Sequence, residues 1–223
     1  MNYSEAKKKI KNEYENLLKP LGYKSRSNGQ GFEFNFVKNN LVLKIGFGVS
    51  NYSDQFDTGC YASIGVIEIH NVLNYIFDEK LIIIDRGNTI GVNIAKYFNE
   101  INYSFNITTD EDVAEWGVIV RKYFYEYLSP FFEKYNSIAS IDILFNEYPT
   151  ETVIFMDNLA SRIQIGLISA KLNQNPKYNE LRNYYKSEVE SKFQGYFMYT
   201  DCMKVIDFLD SHTYEEIKEI SEL

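Results

Sequence analysis

The chain has 223 residues, 45% hydrophobic and 24% charged, a balance that argues against disorder and suits one large domain or two small ones. Its net charge of -8 repels a phosphate backbone and argues against nucleic-acid binding. No apolar run reaches the roughly 20 residues of a membrane span, and the lysine-containing N-terminus lacks the apolar core of a secretory signal. Cys60 and Cys202 lie far apart with no CxxC or Cys/His spacing, so both read as buried free thiols in a reducing cytoplasm. The 19 tyrosines and 16 phenylalanines accompany abundant Lys, Asn and Ile, a bias explained by an AT-rich coding genome. Their number alone therefore marks no binding surface.

Residues 3–19 predict an amphipathic helix with Ala6, Ile10, Tyr14, Leu17, Leu18 and Leu21 on one face, stopped by Pro20 and Gly22. Lys24–Gly31 reads as a polar loop with an Asn28-Gly29 turn. Phe32, Phe34 and Phe36 alternate with Glu33, Asn35 and Val37. After Lys38-Asn39-Asn40, Leu41, Leu43, Ile45, Phe47 and Val49 alternate with Val42, Lys44, Gly46 and Gly48, giving a β-hairpin. Ser50–Gly59 reads as a long polar loop. Tyr61–Ile69 is apolar at odd and even positions, which predicts a central strand covered on both sides. His70–Phe77 reads as a short helix, Lys80–Asp85 as a strand and Arg86-Gly87-Asn88 as a turn. Thr89–Glu100 allows either a helix or a strand followed by a helix. Asn102–Ile107 reads as the last strand.

Thr108–Tyr135 carries the clearest pattern. Thr108 with Glu111, or Thr109 with Asp112, makes a capping box. Val113, Trp116, Val120, Tyr123, Phe124 and Tyr127 then form an apolar stripe, and Pro130 ends or kinks the helix. Beyond it the chain reads as helical: Pro130–Tyr135, a helix over 138–145 capped by Ser137, and a helix from Thr150 or Thr152 to about Leu172. A fourth begins at Asn175-Pro176 and a fifth covers 200–211. The last starts at the Thr213/Glu216 capping box.

Candidate chemistry is sparse. Gly46-Phe47-Gly48 lacks the spacing and context of a phosphate or dinucleotide loop and reads as close strand packing. Glu68 and His70, two apart on the expected strand, would share a side and could begin a metal site or acid–base pair. Asp207, Asp210 and His212 cluster near a helix end, where they could hold a cation or form a solvated acidic face. Asp54 and Asp57 read as turn residues. No Gly-x-Ser-x-Gly elbow is present, and neither cysteine has a histidine nearby in sequence. No catalytic, cofactor-binding or metal residue is assigned, and no cofactor is expected. Tyr178, Tyr184, Tyr185, Tyr196 and Tyr199 would suit a protein interface or a helical core.

Leu17-Leu18-Lys19-Pro20-Leu21-Gly22-Tyr23, closing the first helix ahead of a Phe-rich strand, resembles a family of bacterial domains of unknown function. In that family a helix ends in an "LKPLGF"-like turn and leads into a β-meander. Ser129-Pro130-Phe131-Phe132-Glu133-Lys134-Tyr135 with Asn136-Ser137 resembles the family's closing portion. The likeness covers about residues 5–145, with 150–223 as an added helical extension. It implies an immunity-like role beside polymorphic toxins and supplies no catalytic residues.

The sequence thus predicts a cytoplasmic α+β protein, a single domain over 1–223 with a helix-plus-β part over 1–107 and a mainly helical part over 108–223. An antiparallel sheet of four or five strands packs on the first helix and on the 109–128 helix, followed by a C-terminal helical layer. The expected function is non-enzymatic binding of a basic protein partner such as a toxin. The alternative is a small-ligand binder or enzyme using Glu68 and His70 or the Asp207–His212 group.

Overall fold

The computed structural model describes residues 1–28, 31–52, 55–78, 87–93, 105–156 and 158–223. The expected strand Lys80–Asp85, the turns at Asn28-Gly29 and Arg86-Gly87-Asn88, and the region 94–104 lie wholly or partly outside these residues. The chain is α+β, with an antiparallel sheet followed by helices. It gathers into two compact units, Met1–Ile64 with Gly91–Lys134, and Gly65–Ile90 with Tyr135–Leu223.

In the first unit, helix α1 (Tyr3–Leu18) starts where the Asn2 side chain accepts the Glu5 amide. Its buried face is Ala6, Ile10, Tyr14, Leu17 and Leu18. Leu21 departs from the expected face. It sits in the 3-10 turn Lys19–Leu21 after the helix has ended, and is exposed. The sheet runs β1 (Lys24–Asn28), β2 (Gly31–Lys38), β3 (Leu41–Tyr52), β4 (Gln55–Val66) and β5 (Ile90–Asn93) in spatial order, with β6 (Phe105–Ile107) pairing β4. Lys24–Asn28 is a strand and not a loop, because it pairs antiparallel with Gly31–Asn35. Backbone pairing at a sheet edge needs no apolar side chains, so composition hid it. The expected 50–59 loop is mostly strand for the same reason. β3 reaches Tyr52 and β4 begins at Gln55.

β2 and β3 pair as the expected hairpin, but not with one buried and one wet face: Val42, Lys44 and Asn35 of the expected wetter side are buried. Phe32 faces Phe47 and Phe34 faces Ile45 in register. The Tyr14 ring of α1 stacks on Phe47 at 4.2 Å and on Phe34 at 5.8 Å. Helix α3 (Asp110–Tyr123) lies against α1, with Lys9 Nζ 2.6 Å from the Asp110 carboxylate. Thr109 is its N-cap: the Thr109 hydroxyl accepts the Asp112 amide, and Asp112 Oδ2 accepts from the Thr108 and Thr109 amides at 2.7 Å. Trp116, 3% exposed, stacks on Phe105 at 5.6 Å and meets Tyr123 edge-on at 6.5 Å. Pro130 does not end the helical path. A π turn over Phe124–Leu128 precedes it, with the Ser129 amide donating to the Phe124 carbonyl, and helix α4 (Ser129–Lys134) carries on. The wider turn accommodates a proline that would crowd the carbonyl four residues back.

The second unit holds helix α2 (Ile67–Phe77), α5 (Ile138–Asn146), α6 (Leu159–Leu172), α7 (Tyr178–Lys192), α8 (Phe197–Ser211) and α9 (Tyr214–Ser221). Helix α6 is the hub and touches α2, α5, α7, α8 and α9. Ile163, Ile165, Leu167, Ile168, Ala170 and Leu172 are all buried, so the helix is covered over most of its circumference, with Ser161, Gln164 and Lys171 half-exposed along one side. Its start differs from the expected Thr150 or Thr152. Asn158 is the N-cap and accepts the Ser161 amide, while Val153 and Met156 belong to the preceding loop. Ser137 and Thr213 cap α5 and α9 as expected. Asn175 does not cap α7. Its carbonyl oxygen accepts the Lys177 amide, and its amide nitrogen goes to Asp142.

Trp116→Ala should cost about 3–5 kcal/mol of stability, read by urea denaturation; a near-silent change would place the ring outside the core. Hydrogen bonds from Thr108 and Thr109 hold the Asp112 carboxyl at about 2. The lowered value contributes stability above the ordinary carboxylate range, and that stability is lost as pH falls towards about 2. Asp112→Asn should flatten this part of the acid-unfolding curve; an unchanged acid limb would rule the box out as its source.

Candidate functional site

The two acid–histidine groups do not assemble. Glu68 and His70 lie on α2 and not on a strand, because β4 ends at Val66 and the helix begins at Ile67. Residues two apart on a helix point about 200° apart, so they cannot act as neighbours. His70 is buried with Nε2 3.2 Å from the Thr89 hydroxyl, which itself accepts the Val66 amide at 2.8 Å. The histidine thus fastens the end of β4 to the segment before β5.

Asp207, Asp210 and His212 also separate. Asp210 takes a forked contact from Arg182 of α7, with Nε 3.0 Å from Oδ2. His212 stacks on Phe208 with ring centres 4.0 Å apart, and its Nδ1 lies 2.9 Å from the Phe208 carbonyl. Asp207 faces solvent. Asp54 lies outside the described residues, and Asp57 belongs to β4, paired with Asn106 of β6. Both cysteines are free and buried, and burial pushes the Cys60 thiol to about 12 and Cys202 to about 11. Neither is a ready nucleophile at neutral pH. Among the described residues no three His, Cys, Asp or Glu side chains converge on a metal position, and no helix is long and apolar enough to cross a membrane.

Gly46 is the close-packing position expected of it. A Cβ there would lie 2.0 Å from the Tyr61 ring, and the Tyr61 hydroxyl donates to Glu33 at 3.3 Å. Beside them Lys44 is only 1% exposed, opposite Asn35 in register. Burial lowers the Lys44 pKa, Glu33 opposes the shift and Arg26 adds to it. The strand pattern had placed Lys44 on the wetter face, and no local signal marks its burial.

The most exposed aromatic pair stands at the start of α8. Gly195, at φ 86°, turns the chain, and Tyr196 and Phe197 emerge 63% and 76% exposed. Phe197, Thr200, Lys204, Asp207 and Ser211 follow one another along the exposed outer side of α8. Residues 197–223 carry seven carboxylates against two lysines, so this segment is acidic. Of the five tyrosines singled out in sequence, Tyr185 is core, donating to the Phe145 carbonyl at 3.0 Å, and only Tyr196 is openly displayed.

A lysine with a lowered folded pKa weakens folding at neutral pH, and the penalty is relieved as pH rises towards 10.5. Lys44→Met should therefore stabilise the protein by about 1–3 kcal/mol at pH 7 in urea melts, and should remove that rise. A less stable variant would show the ammonium to be well compensated. No family model, curated protein or solved structure matches the chain.

Proposed function

We propose that the protein is a non-enzymatic binding module of immunity type, which captures a basic protein partner such as a toxin through the exposed side of α8. The observation that carries this reading is the pair Tyr196–Phe197, displayed at the head of an acidic stretch. Exposed aromatic anchors supply contact area that is removed from water on docking. A carboxylate-rich rim speeds encounter with a positively charged surface and disfavours acidic competitors, nucleic acids included. The N-terminal turn and the α4 segment, which resemble the immunity-like domains, support the same reading. Two buried, unreactive free thiols suit a cytoplasmic setting.

Affinity capture from native cell lysate tests the reading. The wild type should retain a protein of basic isoelectric point in about 0.05 M salt and release it near 0.5 M, where the screening length shrinks below ~5 Å. Phe197→Ala should lower recovery at least tenfold with an unchanged melting temperature, as expected for an anchor worth about 2 kcal/mol. Recovery of no basic protein under mild salt, or equal recovery by the variant, would sink the proposal.

A further inference from the structure

The segment that joins α5 to α6 is held by a buried cation. Arg162 stands in the first turn of α6 and is only 5% exposed. One terminal nitrogen of its guanidinium donates to the Glu151 carbonyl. The other donates to the carbonyls of Phe145 and Pro149 at 3.1 Å and of Tyr148 at 3.4 Å. The Tyr184 hydroxyl of α7 also donates to the Pro149 carbonyl, at 3.3 Å. Further along, Val153 and Phe155 are buried, and the Phe155 ring meets Tyr135 edge-on at 5.2 Å. Residues 147–156 are therefore pinned at several points, although they form neither helix nor strand.

This pinning costs stability. All four acceptors are neutral, and the buried Arg162 Nε has no partner among the described residues. Carbonyl dipoles offset only part of the hydration that a guanidinium loses, and the positive end of the α6 dipole opposes it. A loop that only joined two helices would need no such clamp. Departures of this kind concentrate where a surface conformation is used.

What the clamp displays is apolar and acidic. Tyr148 and Ile154 are 59% and 58% exposed, and Ile154 stands between the buried anchors Val153 and Phe155. Glu147 and Glu151 of the same segment are exposed, and no Lys or Arg stands between Lys134 and Arg162 in the chain. Lys192 approaches the loop across a cavity of about 300 Å³, but it is ion-paired with Glu188 and leaves the loop carboxylates unmatched.

We propose that residues 147–154 are a preformed docking loop for a basic protein. Tyr148 and Ile154 are its apolar anchors, and Glu147 and Glu151 face the partner's Lys and Arg side chains. The proposal rests on the reading that the partner is a basic protein, but it uses none of the residues of α8. Because the loop is ordered before contact, docking leaves less conformational freedom to lose.

Site-specific photocrosslinking tests it, with benzoylphenylalanine placed in the full chain at position 148, 154 or 197, and at the exposed position 111 as a control. In native cell lysate at about 0.05 M salt, where screening is weak, positions 148 and 154 should crosslink to the same protein of basic isoelectric point, and position 111 should not. Glu147→Lys and Tyr148→Ala should each lower the adduct at position 154 about tenfold or more. Both side chains are exposed, so the melting temperature should not change. Adducts at 148 and 154 without one at 197 support the loop and remove the α8 surface. An adduct at 197 without one at 148 or 154 overturns the loop and leaves the α8 surface standing. Capture of no basic protein at any position overturns both. The loop also falls if its adduct is an acidic protein, if position 111 captures the same protein equally, or if Glu147→Lys leaves the adduct unchanged.

Discussion

Helix α6 sets the terms for the second unit. A helix buried over most of its circumference gains apolar contact in many directions, but its neighbours must meet each polar group that approaches it. Two residues show how. Asp142 of α5, 2% exposed, accepts from Asn146 at 2.6 Å, Asn173 at 2.7 Å and Asn175 at 2.9 Å. Asn146 also donates to the Gly166 carbonyl of α6. One carboxylate thus ties the loop after α6 back to α5, and its charge is spread over three amide donors. Arg162 performs the matching task at the other end of the helix by gathering the carbonyls of the segment before it. The first clamp closes fully, and the second leaves the buried Arg162 Nε without a partner among the described residues.

Rings dominate the first unit, beside the buried Lys44. Tyr14 lies flat on Phe47 and Phe34, while Phe105, Trp116 and Tyr123 form a second run. Stacked rings tolerate small shifts better than a clamp of directed hydrogen bonds does, because dispersion falls off without a preferred lone-pair direction.

Local chemistry was readable in the sequence, and long-range pairing was not. The Thr109–Asp112, Ser137–Ser140 and Thr213–Glu216 caps depend on residues three apart, so the helix starts they mark came directly from the chain. The Phe32–Phe36 alternation likewise foretold its hairpin. Lys24–Asn28 was missed because its strand identity resides in its partner. Ile67–Ile69 was misplaced because an apolar run suits a buried strand and a buried helix equally. That error moved Glu68 and His70 from one side of a strand to opposite sides of a helix. Thr150 and Thr152 suit a helix start as well as Asn158 does, and it is Asn158 that does the capping. Burial of Lys44 and Arg162 lay beyond reach, since nothing in their neighbours along the chain records what covers them.

The π turn ahead of Pro130 has a consequence for descent and for engineering. A single such turn is what a helix forms when it absorbs one extra residue without unwinding. Phe131 and Phe132, both buried, are placed by that extra residue. Deleting one position between Phe124 and Leu128 would restore regular winding and rotate everything beyond it by about 100°. The two phenylalanines would then leave the face they now bury. In this stretch chain length, more than residue identity, is the constrained quantity, so substitutions should be accepted more readily than insertions or deletions.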